Sequence, residues 1–431
     1  MRNEAEHTVA AGWQPPAEAK PWLLTAGAFI CALGLLLGRW SPARLMDYQA
    51  WDQVPWFLDV RLPLVIAGLV VIAAIKDGRP AAARLPPQLT IGVTFIVLAL
   101  LTFTVTSGIG GIDCHTEYCG DKALDVIWLA CFLFITFFLA LEPGFEDRFF
   151  ICVFALCMVL ALMGLRGALQ TVTPGATGLT VMQGGRNVFS RLLGVLAILA
   201  LYYYLGARQN SLRLGMLGIF GLSLALLVLT GSRGGTAASL LGIAAAAVLF
   251  RAPLRGVLMI GLAVVVVGAV AVESGLLDTF ARYVSDRYIN RVFGQLYLSG
   301  RDTLMRDGIE MWMDYPLTGA GLGRFSEYNA LSYPHNFFIE LLAETGIIGF
   351  ALLLVPLGFI LDVVRRYWPA VDKRGMAIFA LYLAASQASG DLYDSRALLL
   401  MPVVAACGAV TRRGRVAAPA ARREQSAGSM A

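Results

Sequence analysis

Twelve runs of apolar residues, separated mostly by short polar gaps, restrict what this chain can fold into. A helix crosses the hydrocarbon core of a bilayer with about 17 to 25 apolar residues. Runs near that length occupy 22–38, 61–75, 88–107, 123–141, 149–168, 190–206, 212–230, 235–250, 256–272, 336–362, 375–390 and 396–410. The expected fold is an all-α polytopic membrane protein with about twelve transmembrane helices. Composition leaves no soluble alternative: 58% of the residues are hydrophobic, 15% are charged and the mean hydropathy is +0.70, beyond what a domain with a polar surface carries.

The net charge of +5 follows from topology rather than from a nucleic-acid partner, because the basic residues sit mostly in short gaps between the runs. With the N-terminus inside, the cytoplasmic gaps carry Lys76, Arg79, Arg84, Arg148, Arg208, Arg213, Arg251, Arg255, Arg365, Arg366, Lys373 and Arg374. Apart from the long gap at 273–335, the opposite gaps carry Arg39, Arg44, Arg61, Lys122, Arg186, Arg191, Arg233 and Arg396. Several of these stand so near span ends that topology alone does not account for them. An even number of spans returns the C-terminus to the cytoplasm, and the Ala/Arg/Gly/Ser composition from about Arg412 onward reads as a disordered tail. The residues before the first run show neither a basic n-region nor an A-x-A site, so that run is expected to stay as an anchor. The chain thus divides into nine spans over 1–272, an outer loop over 273–335, three spans over 336–411 and a tail over 412–431.

Cys31, Cys131, Cys152, Cys157 and Cys407 fall within apolar runs, where a free cysteine behaves as a small apolar residue. Cys114 and Cys119 instead share the outer gap GIGGIDCHTEYCGDK. With Asp113 and His115 they offer metal-ligand types, but the second clustered pair of a structural zinc site is missing. A thiol pair on an oxidising face is expected to form a disulfide.

No Walker A, no G-x-G-x-x-G after a strand and no H-E-x-x-H is present. The abundant glycines are scattered through the runs, as in Gly34 to Gly38, where small residues let helices approach closely. Three arginine-bearing breaks rise above this background. Between the fifth and sixth runs the chain reads TVTPGATGLTVMQGGRNVFSRLLG, ending with Arg186, Asn187 and Arg191 at the mouth of a helix. Between the seventh and eighth there is only TGSRGG, with Arg233 among glycines. A guanidinium so close to hydrocarbon is costly and usually has a partner. The N–H groups opening the next helix add to its positive field; the alternative is an arginine that snorkels to the interface, and the other outer-face arginines favour an anion site.

The third break, Ser299 to His335, contains Arg301, Arg306 and Arg324. LLDTFARYVSDRYINRVFGQLYL and RDTLMRDGIEMWMDYPL place apolar residues at helical spacing, so two amphipathic helices are expected on the bilayer surface or capping a cavity, closed by Pro316 and the glycines at 319, 321 and 323. The segment ends on His335, between Pro334 and Asn336, at a polar–apolar boundary with Glu340 further along. A neutral imidazole can accept a proton from a hydroxyl, and nearby arginines lower its pKa and keep it neutral. Arginine forks suit a diphosphate. The residues therefore point to an outer-face site where an acceptor hydroxyl displaces a lipid diphosphate, with no nucleotide or metal required.

TGSRGG (230–235), SGRDTLMRDGIEMW (299–312), GAGLGRF (319–325) and HNFFIELLAETGIIG (335–349) together resemble the O-antigen ligase and polymerase superfamily of bacterial envelopes, most closely a ligase. The resemblance implies a large periplasmic loop before the tenth helix and a metal-independent, inverting glycosyltransferase of the inner membrane without cofactors. Its active site would lie on the periplasmic face and both termini in the cytoplasm. It implies transfer of O-antigen from undecaprenyl diphosphate to a sugar hydroxyl of the lipid A-core oligosaccharide. By position it gives His335 the role of base and Arg233 and Arg301 the diphosphate. Arg186, Arg191, Asn336 and Arg306 are candidate substrate contacts, although GGRNVFSR departs from the commoner wording of that gap. A glycan polymerase or a protein O-glycosyltransferase would share these motifs. A lipid-linked glycan transporter would instead place its charges near mid-span.

Overall fold

The computed structural model describes residues 19–36, 61–76, 85–106, 115, 117–170, 179–181, 185–252, 301–329 and 333–428. In chain order its helices are α1 (Pro21–Leu36), α2 (Arg61–Lys76), α3 (Pro87–Thr106), α4 (Glu117–Ala140), α5 (Phe145–Gln170), α6 (Arg186–Gly206), α7 (Asn210–Leu229), α8 (Arg233–Leu249), α9 (Arg301–Asp314), the short α10 (Phe325–Tyr328), α11 (Phe337–Arg366), α12 (Lys373–Ala385) and α13 (Ala397–Gly428). Eleven of the twelve apolar runs coincide with helices; the run at 256–272 lies outside the described residues, as does the first of the two amphipathic helices expected in the long loop. Among the described residues, six helices, α3 to α7 and α11, are long and apolar enough to cross a membrane. Hydrocarbon offers the backbone no water, so runs that satisfy their own amides and carbonyls take this form. The chain is an integral, polytopic membrane protein.

The longest entirely buried stretches among the described residues are 189–201 of α6 and 397–409 of α13. α6 packs on α7 and α8, α8 on α12, α3 on α11, and α1 on α5. α13 continues to Gly428, through the tail whose composition reads as disordered.

The charged residues fall into two groups at opposite ends of the bundle. At one end Lys76 bonds Glu142 at 2.6 Å, Arg412 pairs with Glu146 at 2.7 Å, and Arg374 links Asp147 to Asp372. At the other lie the starts of α4, α6, α8, α9, α11 and α13 and the end of α12, together with Arg61 paired to Asp125. Arg396 is held at this second end by the carbonyls of Gly34 and Leu35, at 3.0 and 2.8 Å.

α11 is broken at Gly346, whose φ of 64° and ψ of −173° interrupt the helix. An uninterrupted helix would pair Ile347 N–H with Ala343 C=O and Ile348 N–H with Glu344 C=O. Here the stretch after α9 supplies substitutes for all four groups. Ile347 and Ile348 N–H donate to Pro316 and Leu317 carbonyls at 2.9 and 3.1 Å, while Ala320 and Gly321 N–H donate to Ala343 and Glu344 carbonyls, both at 2.9 Å. The glycine-rich loop is thereby spliced into the break, and α9 is fixed beside the first segment of α11.

Candidate active site

α6 and α8 begin side by side at the second end. Ser232 caps α8 by accepting from Gly235 N–H, and its hydroxyl donates to Asn187 Oδ1 in the first turn of α6. One turn deeper, Ser239 Oγ donates to Ser190 C=O at 3.0 Å. Their first helical residues are Arg186 and Arg233. α9 also opens on an arginine, Arg301. Its guanidinium lies over Gly234, where an added Cβ would stand 3.0 Å from Nη1, so a residue without a side chain makes room for it. Burial lowers the Arg301 pKa, and the positive charge of Arg233 lowers it further. Two guanidiniums close enough to repel concentrate positive charge at this point, which favours an anion.

His335 adopts a left-handed backbone, with φ 59°, a conformation uncommon outside glycine. Residues on both sides hold it there. Tyr333 packs edge-on against its ring at 4.5 Å between centroids. Asn336 caps α11, accepting from Phe338 and Ile339 N–H at 3.0 and 3.2 Å, and donates to Gln387 C=O at 3.3 Å; Phe337 N–H donates to Ser386 C=O at 2.9 Å. The imidazole Nδ1 is enclosed without a hydrogen-bond partner. Burial pushes the His335 pKa down to about 4, with Arg301 and Arg191 adding to the effect and Asp391 opposing it. The ring is therefore neutral at physiological pH and able to take a proton.

The remaining candidates separate by position. Arg191 is buried and committed to the α12–α13 connection, donating to Asp394 C=O at 3.1 Å and Ser389 Oγ at 3.3 Å, with Asp394 Oδ2 at 3.7 Å. It rests against Gly390, which has φ 87°. Asn336 spends its amide on the cap and on Gln387. Arg306 lies two residues beyond Leu304, about 200° around α9 from the buried side formed by Leu304, Gly308 and Met311, and is exposed. The end of the bundle thus gathers Arg186, Arg233, Arg301 and His335, while Arg306 faces away.

Sequence reasoning missed a buried group beneath His335. Lys122 of α4 bonds Glu340 and Glu344 of α11, the latter at 2.6 Å, and all three are almost fully enclosed. Leu392 N–H donates to Glu340 Oε1 at 3.3 Å, and Tyr118 donates to Asp391 at 3.2 Å. Two glutamates four residues apart inside an apolar run, and a lysine in a gap where topology does not call for one, were the available signals. Cys119 is disulfide-bonded, as its gap leads one to expect; Cys114 lies outside the described residues.

This fold and site define a membrane protein with clustered arginines and a histidine of lowered pKa at one end of a helical bundle. Residues 218–354 match the family described as O-Antigen ligase, which supports the resemblance carried by the sequence motifs. The matched residues include Arg233, Arg301, His335 and Gly346; Lys122, Arg186, Arg191 and Asp391 lie outside them. No curated protein matches the chain.

Proposed function

We propose that the protein transfers O-antigen polysaccharide from undecaprenyl diphosphate to a sugar hydroxyl of the lipid A-core oligosaccharide, on the periplasmic side of the bacterial inner membrane. The observation that carries this reading is the pairing of Arg233 with Arg301 beside a histidine held neutral. Two planar forks suit a diphosphate better than a single phosphate. A polyprenyl tail would lie among the apolar helices while its head group meets the arginines.

In this scheme the acceptor hydroxyl attacks the anomeric carbon of the sugar attached to the diphosphate. A new C–O bond forms as the bond to the diphosphate oxygen breaks, and the electron pair leaves with the lipid diphosphate. Arg233 and Arg301 stabilise the charge that develops there. The hydroxyl proton passes to His335 through Nε2, since Nδ1 is enclosed, and is later released to water. Attack from the face opposite the leaving group inverts the anomeric carbon. No metal enters these steps. Arg186 contacts the glycan or the diphosphate in this scheme, a role supported by its position at the start of α6 beside the start of α8.

Purified protein offered lipid-linked glycan together with lipid A-core, free glycan or a pilin-type protein tests the proposal directly. Product on lipid A-core, unchanged by chelator and abolished in His335→Ala with donor binding retained, is the expected result. Glycan elongation without lipid A-core product would make it a polymerase instead. Wild-type transfer by His335→Ala would remove the histidine from the chemistry.

A further inference from the structure

The mechanism above does not use the buried Lys122, Glu340 and Glu344. A cation and two carboxylates are expensive to bury unless their geometry is closely satisfied, so such a group is weak evidence for stability as such. Its position is more informative. Lys122 rises from the second turn of α4 and grips Glu340 and Glu344, which lie on the first segment of α11, before the break at Gly346. Glu340 in turn receives Leu392 N–H, so the same carboxylate anchors the connection between α12 and α13. That connection is also tied to the start of α11 through Ser386 and Gln387, and it carries Gly390, against which Arg191 rests. Glu344 is joined to the glycine loop, whose Gly321 N–H donates to its carbonyl at 2.9 Å.

Other parts of the α4 start reinforce the grip. Cys119 backs so closely onto Gly323 that an added Cβ there would stand 2.7 Å from the Cys119 Cα. His115 N–H donates to Glu327 at 2.7 Å, in α10. The opening of α4 is thus wedged among the glycine loop, the first segment of α11 and the Ser386–Arg396 connection. The first segment of α11 starts two residues after His335, and the Ser386–Arg396 connection carries Asp391, whose charge acts on its ring.

We infer that Lys122 is a positioning residue for the transfer site: through Glu340 and Glu344 it fixes the short first segment of α11 and thereby the place and enclosure of His335. The inference deepens the proposed function and rests on His335 being its base. The ring carries an unusual backbone angle, and its flanking residues hold it by bonds to a connection that Glu340 secures. Loss of the lysine would free both glutamates to seek water and let the α11 segment swing from that connection.

The test compares wild type, Lys122→Met, Lys122→Arg and the neutral triple variant Lys122→Met/Glu340→Gln/Glu344→Gln, each in its full chain. The triple variant covers the case in which Lys122→Met alone fails to insert, because it leaves no unpaired charge behind. Diethyl pyrocarbonate modification of His335, followed by peptide mass spectrometry across pH 4 to 8, reads the ring directly and needs no glycan. In wild type the rate is expected to stay flat down to about pH 5, as the pKa of about 4 requires. In the folded methionine variants the midpoint moves toward the ordinary histidine value near 6.5, while Lys122→Arg restores the wild-type profile in part. Transfer should fall on the order of 10- to 100-fold in kcat, with KM for the lipid donor within about twofold of wild type.

An unchanged His335 profile in either folded methionine variant overturns the inference, whatever transfer does. If wild type shows no transfer to lipid A-core, the ligase reading fails while the ring measurement still decides whether Lys122 positions His335.

Discussion

Replacing Gly346 with alanine tests whether the break in α11 is a built feature. The added Cβ would meet Leu317 C=O inside van der Waals contact and Gly319 N at 2.5 Å, both backbone atoms that no side-chain rotation can move. If the break is kept, alanine must adopt φ 64° and ψ −173°, a region nearly exclusive to glycine that costs about 1–3 kcal/mol before the contact is relieved. If the helix closes instead, alanine gains about 1 kcal/mol of helix propensity over glycine. Closure then evicts the loop, and the Ala320 and Gly321 amides, both buried, lose their acceptors. An orphaned buried amide costs about 1–3 kcal/mol. Either route leaves the variant about 1–5 kcal/mol less stable, by the same strain and lost-bond costs. Gly358, in the same helix with nothing within 4 Å of an added Cβ, is the control, and Gly358→Ala should be neutral or slightly stabilising. Heating each variant in detergent and following the monodisperse fraction by size exclusion measures the difference. Gly346→Ala as heat-resistant as wild type, with full transfer activity, would refute the account of the break.

Three further outcomes are expected. Because the His335 pKa is lowered, the folded protein keeps the ring neutral where an unfolded chain would already protonate near 6.5; stability from this group is complete above that pH and declines as pH falls toward about 4. The acid limb of transfer should accordingly sit near pH 4 to 5 in wild type and rise in Arg301→Ala, which removes the second-largest cause of the shift; a limb at about 6.5 in wild type would contradict the site electrostatics. Arg301→Ala should weaken donor binding and Arg301→Lys rescue it poorly for want of a planar fork, whereas Arg306→Ala, on the opposite face of α9, should bind donor like wild type; isothermal titration with the lipid diphosphate separates the two. Inorganic pyrophosphate should raise the heat resistance of wild type but not of a double Arg233→Ala/Arg301→Ala variant, and equal stabilisation of both would place the anion elsewhere.

Much of this was legible in the chain because its strongest signals are local. Apolar runs name their own helices, and an arginine within TGSRGG announces itself without reference to any other residue. The break at Gly346 was not legible. It falls inside a continuous apolar stretch, 336–362, and exists because carbonyls and amides some thirty residues upstream replace the helix's own partners. Arg191 shows the converse limit. Its place at a helix mouth suggested a substrate contact, but its bonds go to Ser389 and Asp394 across the fold. Residue type and spacing reveal that a charge needs a partner without saying whether the partner is a ligand or the protein itself.

That distinction can be drawn from the helix starts. α6, α8 and α9 each open on an arginine, and neither α6 nor α8 has an acidic residue in its first turn. Helix N-termini favour negative charge by about 0.3–1 kcal/mol each, so the starts of α6 and α8 are placed against that preference, while α9 follows its arginine with Asp302. Elsewhere at this end the chain neutralises its cations with its own groups: Lys122 with Glu340 and Glu344, Arg191 with Asp394, Arg61 with Asp125. Arg301 is treated differently, since the neighbour that most affects it is another arginine. Two guanidiniums brought this close raise the local positive potential, and that potential favours an arriving anion.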